Sequence, residues 1–278
     1  MNKINLKNAR ITLFYILSSF LVVILYWAFQ PEKSPEWTGF GSYVNQPDIE
    51  RYKTLWDWLD LIIIPVFIAL FTWIYTEFEK DKNSKIEQEN AREKTLDSFI
   101  NTMTELLVKH DLAGTPEQKR LAIARTRINL ALPQLDGGRK GQILQFLYES
   151  DLVDLNPKFR LLGCNFNESL LENIVLGQAE IKGAYFKEAL FKKSNLVEAN
   201  FTSCDFTGAD FTNCLMTNTN LSYTKLNNVK LENIDLTKVE FEGADLTNAS
   251  LKGSTIKQIQ LEGIFQKENI NLKETKII

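Results

Sequence analysis

The sequence predicts a mainly β chain, with a square-sectioned β-coil in its C-terminal half, an α-helical region before the coil and a two-helix transmembrane hairpin at the N-terminus. Three observations carry this prediction. From Leu161 to Leu261 every fifth residue is Leu, Ile, Phe or Met, 21 positions in succession without a miss. Two long uncharged runs lie within the first 76 residues, and all five Trp residues fall within the first 73. Between these regions, apolar residues recur at helical spacing.

A period of five fits neither the 3.6 residues of a helix turn nor the two of a strand, either of which would spread these side chains in every direction. The chain has to turn a corner every five residues. A square coil does so if each short side points one large apolar residue inward and a small residue fills the adjacent corner. From Cys164 to Ile264 the position two before each large residue holds only Ala, Ser, Thr, Cys, Val or Ile. The units Ala199-Asn200-Phe201-Thr202, Cys204-Asp205-Phe206-Thr207 and Ala209-Asp210-Phe211-Thr212 resemble the A-(D/N)-L-x-x unit of the pentapeptide-repeat family. That resemblance implies a right-handed quadrilateral β-helix with four units per turn.

With four units per turn, residues 20 apart stack. Phe166, Phe186 and Phe206 then form one ladder, and Phe191 and Phe211 another. Five coils at the spacing of hydrogen-bonded strands give a rod of about 24 Å whose core forms between neighbouring coils. Cys164 and Cys204 fall two coils apart, roughly 9.6 Å by that spacing, too far for a disulfide. Phe206→Ala is expected to open a cavity, whereas Thr207, facing outward in the same unit, is expected to tolerate Ala.

At the N-terminus, residues 11–29 carry no charge over about the length needed to cross a bilayer core. Residues 61–76 form a second uncharged run, extendable to Trp56, so spans at about 11–29 and 57–76 are expected within a hairpin of residues 1–76. Trp27, Trp37, Trp56, Trp58 and Trp73 suit an interfacial belt, and Pro65 is tolerable inside a membrane helix. Lys3, Lys7 and Arg10 precede the first run, and Lys80, Lys82, Lys85, Arg92 and Lys94 follow the second. This bias places both termini in the cytoplasm. A cleaved signal peptide over residues 1–29 fits less well, because no small-x-small site precedes Gln30.

Residues 77–112 read as a charged helical stalk followed by an amphipathic helix with Leu96, Phe99, Ile100, Met103, Leu106 and Leu107 on one face. Residues 113–153 read as a helical region that caps the solenoid. Its first helix starts at Thr115-Pro116-Glu117-Gln118, carries Leu121, Ile123, Ile128, Leu130 and Leu132, and stops near Pro133. After a turn at Asp136-Gly137-Gly138, Ile143, Leu144, Phe146, Leu147 and Leu152 supply a last helix, the candidate cap for the open first coil. The β-helix is expected over 154–264 and a cap or dimerisation tail over 265–278.

Chemistry is sparse. His110 is the single histidine and reads as a solvated helix-end residue, no metal-ligand spacing occurs, and 137–142 lacks the order of a phosphate loop, reading as a turn with a solvated basic pair. Neither a catalytic residue, a metal nor a cofactor is expected. Leu55-Trp56-Asp57-Trp58-Leu59-Asp60-Leu61, Thr104-Glu105-Leu106-Leu107 and Leu135-Asp136-Gly137-Gly138-Arg139-Lys140-Gly141 are similar to stretches of membrane-bound bacterial, cyanobacterial-type pentapeptide-repeat proteins. The resemblance supports the domain order and implies a bacterial source, and with it an inner-membrane location.

The chain has a formal net charge of −3, and 161–261 holds 12 acids and nine bases of mixed placement. This pattern does not favour direct nucleic-acid binding or a DNA-like acidic rod. The leading expectation is a non-enzymatic, membrane-tethered scaffold or adaptor for an unidentified protein partner. The alternatives are a membrane-acting signalling or defence protein and a DNA-mimic that binds a topoisomerase. Leu170, Val175 and Leu190 break the polar outward pattern in the first coils and form a candidate docking patch for the helical region. Beyond Leu261 the period fails, Gln266 falls where an apolar residue belongs, and Leu272 and Ile277 resume it after a one-residue slip. Phe265, Ile270, Leu272 and Ile277 are the candidate interface of a homodimer paired through the C-terminal coil.

Overall fold

The computed structural model describes residues 55–110, 112, 118–153 and 160–278, with side chains from residue 65 onward, those of His110 and Gln118 excepted. In chain order come α1 (Leu55–His110), α2 (Gln118–Ala131), a 3-10 turn (Leu132–Gln134), α3 (Gly137–Glu149), β1 (Thr255–Ile256), α4 (Gln258–Gly263) and β2 (Lys276–Ile277). The chain divides into two units, residues 1–85 and 86–278.

The expected N-terminal hairpin is corrected. Among the described residues no helix is long and apolar enough to cross a membrane. The first expected span, 11–29, lies outside the described residues. The second, 57–76, does not end at Thr76: α1 continues without a break for 56 residues to His110, through Glu77, Glu79, Lys80, Asp81 and Lys82. Apolar residues open a helix whose next turns are densely charged, so the uncharged run does not delimit an element of its own.

In the second unit, α1 buries Phe99, Met103 and Leu106, with Leu96, Ile100 and Leu107 partly covered. Phe99 meets Phe146 of α3 edge-on at 6.1 Å between ring centroids. The expected start of α2 lies outside the described residues up to Gln118. Its buried face is Ala124, Ile128 and Ala131, while Ile123 and Leu130 are exposed. Bulk alone did not mark the inward side, since the helical period there selects two alanines. Asp136 and the glycines after it form a helix start: Asp136 caps α3 and accepts a 3.1 Å hydrogen bond from the Arg139 N–H.

From Asn165 to Thr255 each bridge joins residues 20 apart in parallel, as Asn165 to Tyr185, Tyr185 to Asp205 and Asp205 to Lys225. Each unit uses its main chain in three ways. The large residue donates to the next coil, as Phe166 N–H to Tyr185 O at 2.8 Å; the following outward residue donates back, as Tyr185 N–H to Cys164 O at 3.0 Å; and a turn closes within the unit, as Ser169 N–H to Phe166 O at 3.2 Å. The second central residue of nearly every turn has φ between 57° and 76°, the geometry of a type II turn. Asn occupies it six times in the regular repeat, which suits a residue tolerant of the left-handed region. Gly243 is needed there for space as well, because a Cβ would come within 2.6 Å of the Tyr223 ring.

The ladders stack. Phe166, Phe186 and Phe206 lie 5.3 and 5.2 Å apart, Phe191 and Phe211 4.8 Å apart, and the two ladders meet edge-on, as Phe206 with Phe211 at 5.0 Å. The corner residues are donors as well as fillers. Ser194, Thr219 and Ser254 donate their hydroxyls, and Cys204 and Cys214 their thiols, to carbonyls 23 residues earlier, at 2.6 to 3.0 Å. All three cysteines are buried and free. Burial pushes Cys204 and Cys214 up to about 12 and Cys164 up to about 11, so they remain neutral thiols.

Phe206→Ala in the full chain should lower stability by about 3 to 5 kcal/mol through the cavity left between the ladders. Thr207 is not the indifferent outward residue that the pattern suggests, because its N–H and hydroxyl both bond Asp205 Oδ1, at 3.1 and 2.7 Å. Thr207→Ala should therefore cost about 0.5 to 1.5 kcal/mol. Denaturant unfolding of both variants checks the order, and equal losses would contradict it.

Candidate interaction surfaces

A coil whose main-chain groups bond the coils on either side leaves unpaired groups at each end. At the first coil the missing partners come from the helical region. Leu170 N–H donates to Gly137 O at 2.9 Å and Glu180 N–H to Val153 O at 2.8 Å. Lys140 Nζ donates to Asn167 O at 2.8 Å, and Tyr148 Oη to Gly177 O at 3.0 Å. α3 and the residues after it thus stand where a preceding coil would be. Two glycines let the helix come this close. A Cβ on Gly137 would lie 2.1 Å from Glu168 O, and one on Gly141 2.4 Å from Leu170 O. Gly137 and Gly141, four apart on one helix face, read in the sequence as turn residues, although their spacing is the signal for such an approach.

The basic pair is not solvated. Lys140 bonds the first coil, and the Arg139 guanidinium joins Asp136 to Glu89 and Glu93 of α1, at 2.6 and 2.9 Å for the last two. These hydrogen bonds, that of Glu89 foremost, raise the Arg139 pKa and keep it charged. One side chain therefore ties α1 to the cap helix.

The residues of the expected docking patch lie on the outer faces of the first two coils. Leu170 and Leu190 are bridged in parallel, and Val175, paired with Asn195, lies on the next side. The helical region meets Leu170 at its main chain, while the Leu170 side chain stays 55% exposed and that of Val175 47%. Two coils on from Leu170 the same column carries Asp210, and the column of Asn165 and Tyr185 carries Asp205, both buried and flanked by lysines. Lys187 and Lys225 lie 3.4 and 3.9 Å from Asp205, and Lys192 and Lys230 3.5 and 3.4 Å from Asp210. Burial by itself would raise the pKa of both carboxyls, but hydrogen bonds from Thr207 and Thr212 and the neighbouring lysines outweigh it and lower them. The sequence shows these as charge clusters, whereas the fold makes them alternating columns.

At the other end the chain makes a further coil. After α4 the bridges join residues 21 apart: Asp245 to Gln266, Ser250 to Asn271 and, between β1 and β2, Thr255 to Lys276. Leu272 and Ile277 occupy the slipped register and are partly exposed, Ile270 is partly buried, and Phe265 is 73% exposed. His110 is the last residue of α1. Among the described residues no cluster of three or more His, Cys, Asp or Glu could hold a metal ion.

Residues 184–261 match the family described as pentapeptide repeat region. No curated protein is similar to the chain by sequence. Among solved structures, a pentapeptide repeat protein from the Arabidopsis thaliana thylakoid lumen is 24% identical over 34% of this chain and 63% of its own length, with a TM-score of 0.29. The chain thus spans less than two thirds of that protein. Rfr23, a pentapeptide repeat protein from the cyanobacterium Cyanothece 51142, is 23% identical over 42% of this chain and 83% of its own, with a TM-score of 0.27. QnrB1, a plasmid-mediated fluoroquinolone resistance protein, is 18% identical over 45% and 84%, with a TM-score of 0.21.

Two outcomes test this geometry. Gly141→Ala should destabilise the chain by about 1 to 3 kcal/mol, since main chain rather than a movable side chain opposes the new methyl. Gly138→Ala, whose Cβ would meet only Asp136 Oδ1 at 3.4 Å, should be tolerated, and thermal melts of the two variants separate the cases. Because Asp205, Asp210 and Asp245 have folded pKa values lowered from 3.8, they add stability that is complete above that value and lost as pH falls through the lower folded values. Stability should hold from pH 7 to about 5 and decline below about 4; a decline beginning above pH 6 would contradict the assignment.

Proposed function

We propose that the chain is a non-enzymatic protein-interaction scaffold that offers the outer faces of its β-helix to a protein partner and pairs with a second copy through its last coil. One observation carries the reading: the three thiols are buried and occupied, Cys204 and Cys214 with main-chain carbonyls and Cys164 with Asn129 Oδ1, while the outward columns carry a varied pattern of Leu, Asn, Asp and Lys. Such a surface suits recognition by shape and alternating charge. Lys187, Lys192, Lys225 and Lys230 around Asp205 and Asp210 break up the single-sign field that a DNA mimic needs, which favours a protein partner over that role. Pairing through the end is favoured by partly exposed Leu272 and Ile277 beside a main-chain edge that no described residue covers.

Sedimentation of the full chain and of a Leu272→Ser, Ile277→Ser variant tests the pairing. The wild-type chain should sediment as a dimer and the variant as a monomer. A wild-type monomer at micromolar concentration overturns self-association. For the outer faces, Leu170→Ser with Leu190→Ser should abolish capture of a partner that the wild-type chain retains, and unchanged capture would exclude this patch.

A further inference from the structure

We infer that Gln260 sets the register of the terminal coil and so positions the end that the preceding reading assigns to self-association, a reading on which only the second half of this inference rests. In the regular repeat two acceptors on each side are met by the following coil. The corner carbonyl accepts the N–H of the residue 21 later, as Thr219 O from Glu240, and the carbonyl of the large residue can accept a corner hydroxyl 23 later, as Leu196 O from Thr219. On the side that ends at Val239 both donors are lost. The Gln260 N–H is turned into α4, where it bonds Lys257 O at 3.1 Å, and the residue 23 after Leu236 is Ile259, which has no side-chain donor.

The Gln260 side chain replaces both. Its Nε2 donates to Val239 O and to Leu236 O, each at 2.7 Å, and its Oε1 accepts the Lys257 N–H at 2.8 Å. One amide thus closes the side of the coil from which the main chain has withdrawn. Withdrawal into α4 adds the residue that changes the bridge spacing from 20 to 21. At a spacing of 20 the inward positions would be Gln266, Asn271 and Lys276; at 21 they are Lys267, Leu272 and Ile277. Lys267 alone is polar among these, and its Nζ is bonded to Leu261 O at 2.7 Å. The slipped register therefore puts Leu272 and Ile277 at the inward positions of the end coil, where they stay partly exposed. Gln260 satisfies the Val239 carbonyl that the slip leaves behind while adding a second bond to Leu236 O, which also accepts the Val239 N–H.

The test is hydrogen exchange on the full chain carrying Gln260→Met, which keeps the volume and removes the donors, beside Gln258→Met, which loses only an exposed contact to Glu262 at 3.1 Å. In the Gln260 variant the amides of Phe265, Asn271, Lys276 and Ile278 should exchange about tenfold faster or more, while those of Phe206 and Phe211 keep their protection. Sedimentation of the same variant should show a loss of dimer, with the Gln258 variant unchanged in both measurements. Unaltered exchange at the four terminal amides overturns the inference, as does equal acceleration in every coil. A wild-type chain that sediments as a monomer removes the self-association reading alone, since the exchange comparison decides the role of Gln260 independently.

Discussion

The hydrogen bond between a residue and its counterpart one coil away governs the second unit. Phe166 N–H to Tyr185 O, Phe186 N–H to Asp205 O and Phe206 N–H to Lys225 O repeat one bond at intervals of 20 residues, and the aromatic rings stack because that bond brings their backbones together. A side of the square is too short to hold a strand, so a single coil has neither a sheet nor a core of its own. Stability accrues between neighbours, as in other solenoids, and it raises the same difficulty at both ends. The two ends meet it differently. The first coil is completed by a helix that supplies carbonyls from its main chain and donors from Lys140 and Tyr148, whereas the last is held by a slip in register and by the side chains of Gln260 and Lys267.

The core was legible in the sequence because a five-residue rule leaves no freedom: the large residue and the corner residue are each restricted by volume, and both sets can be read directly. The slip was legible for the same reason, since Leu272 and Ile277 fit only one register. Less legible were features in which one residue answers to something far along the chain. Gly137 and Gly141 look like a turn and a loop glycine until Glu168 and Leu170 lie against them. Arg139 looks solvated until Glu89 and Glu93, some fifty positions earlier, reach it. The uncharged run from 61 to 76 shows the opposite error, in which a local pattern was given a boundary that the continuous helix Leu55–His110 does not respect.

Outward positions were misjudged in a related way. At the outward position before the large residue, Asn or Asp followed two residues later by Thr or Ser repeats through the coil, and it accounts for two of the four glycosylation-like triplets there, at Asn200 and Asn220. In the structure the carboxylate or amide oxygen accepts the N–H of the second residue, and often its hydroxyl, at Asn200, Asp205, Asp210, Asn220, Asp235 and Asp245. The motif is a turn device. What looks like a modification signal or a free surface is the part of the unit that fixes its corner.

The direction of the coil-to-coil bonds has a mechanical consequence. They run along the solenoid axis, so a pull on the last coil along that axis loads its few bonds one side at a time instead of shearing many together. Force applied at Ile278 would break Ile278 N–H to Ile256 O, then Lys276 N–H to Ser254 O and Asn271 N–H to Ala249 O, before any bond of the Phe ladders felt it. The rod is stiff against crushing, because its interior is filled by stacked rings, and weak against peeling, because its long-range bonds can open in sequence like the teeth of a zip.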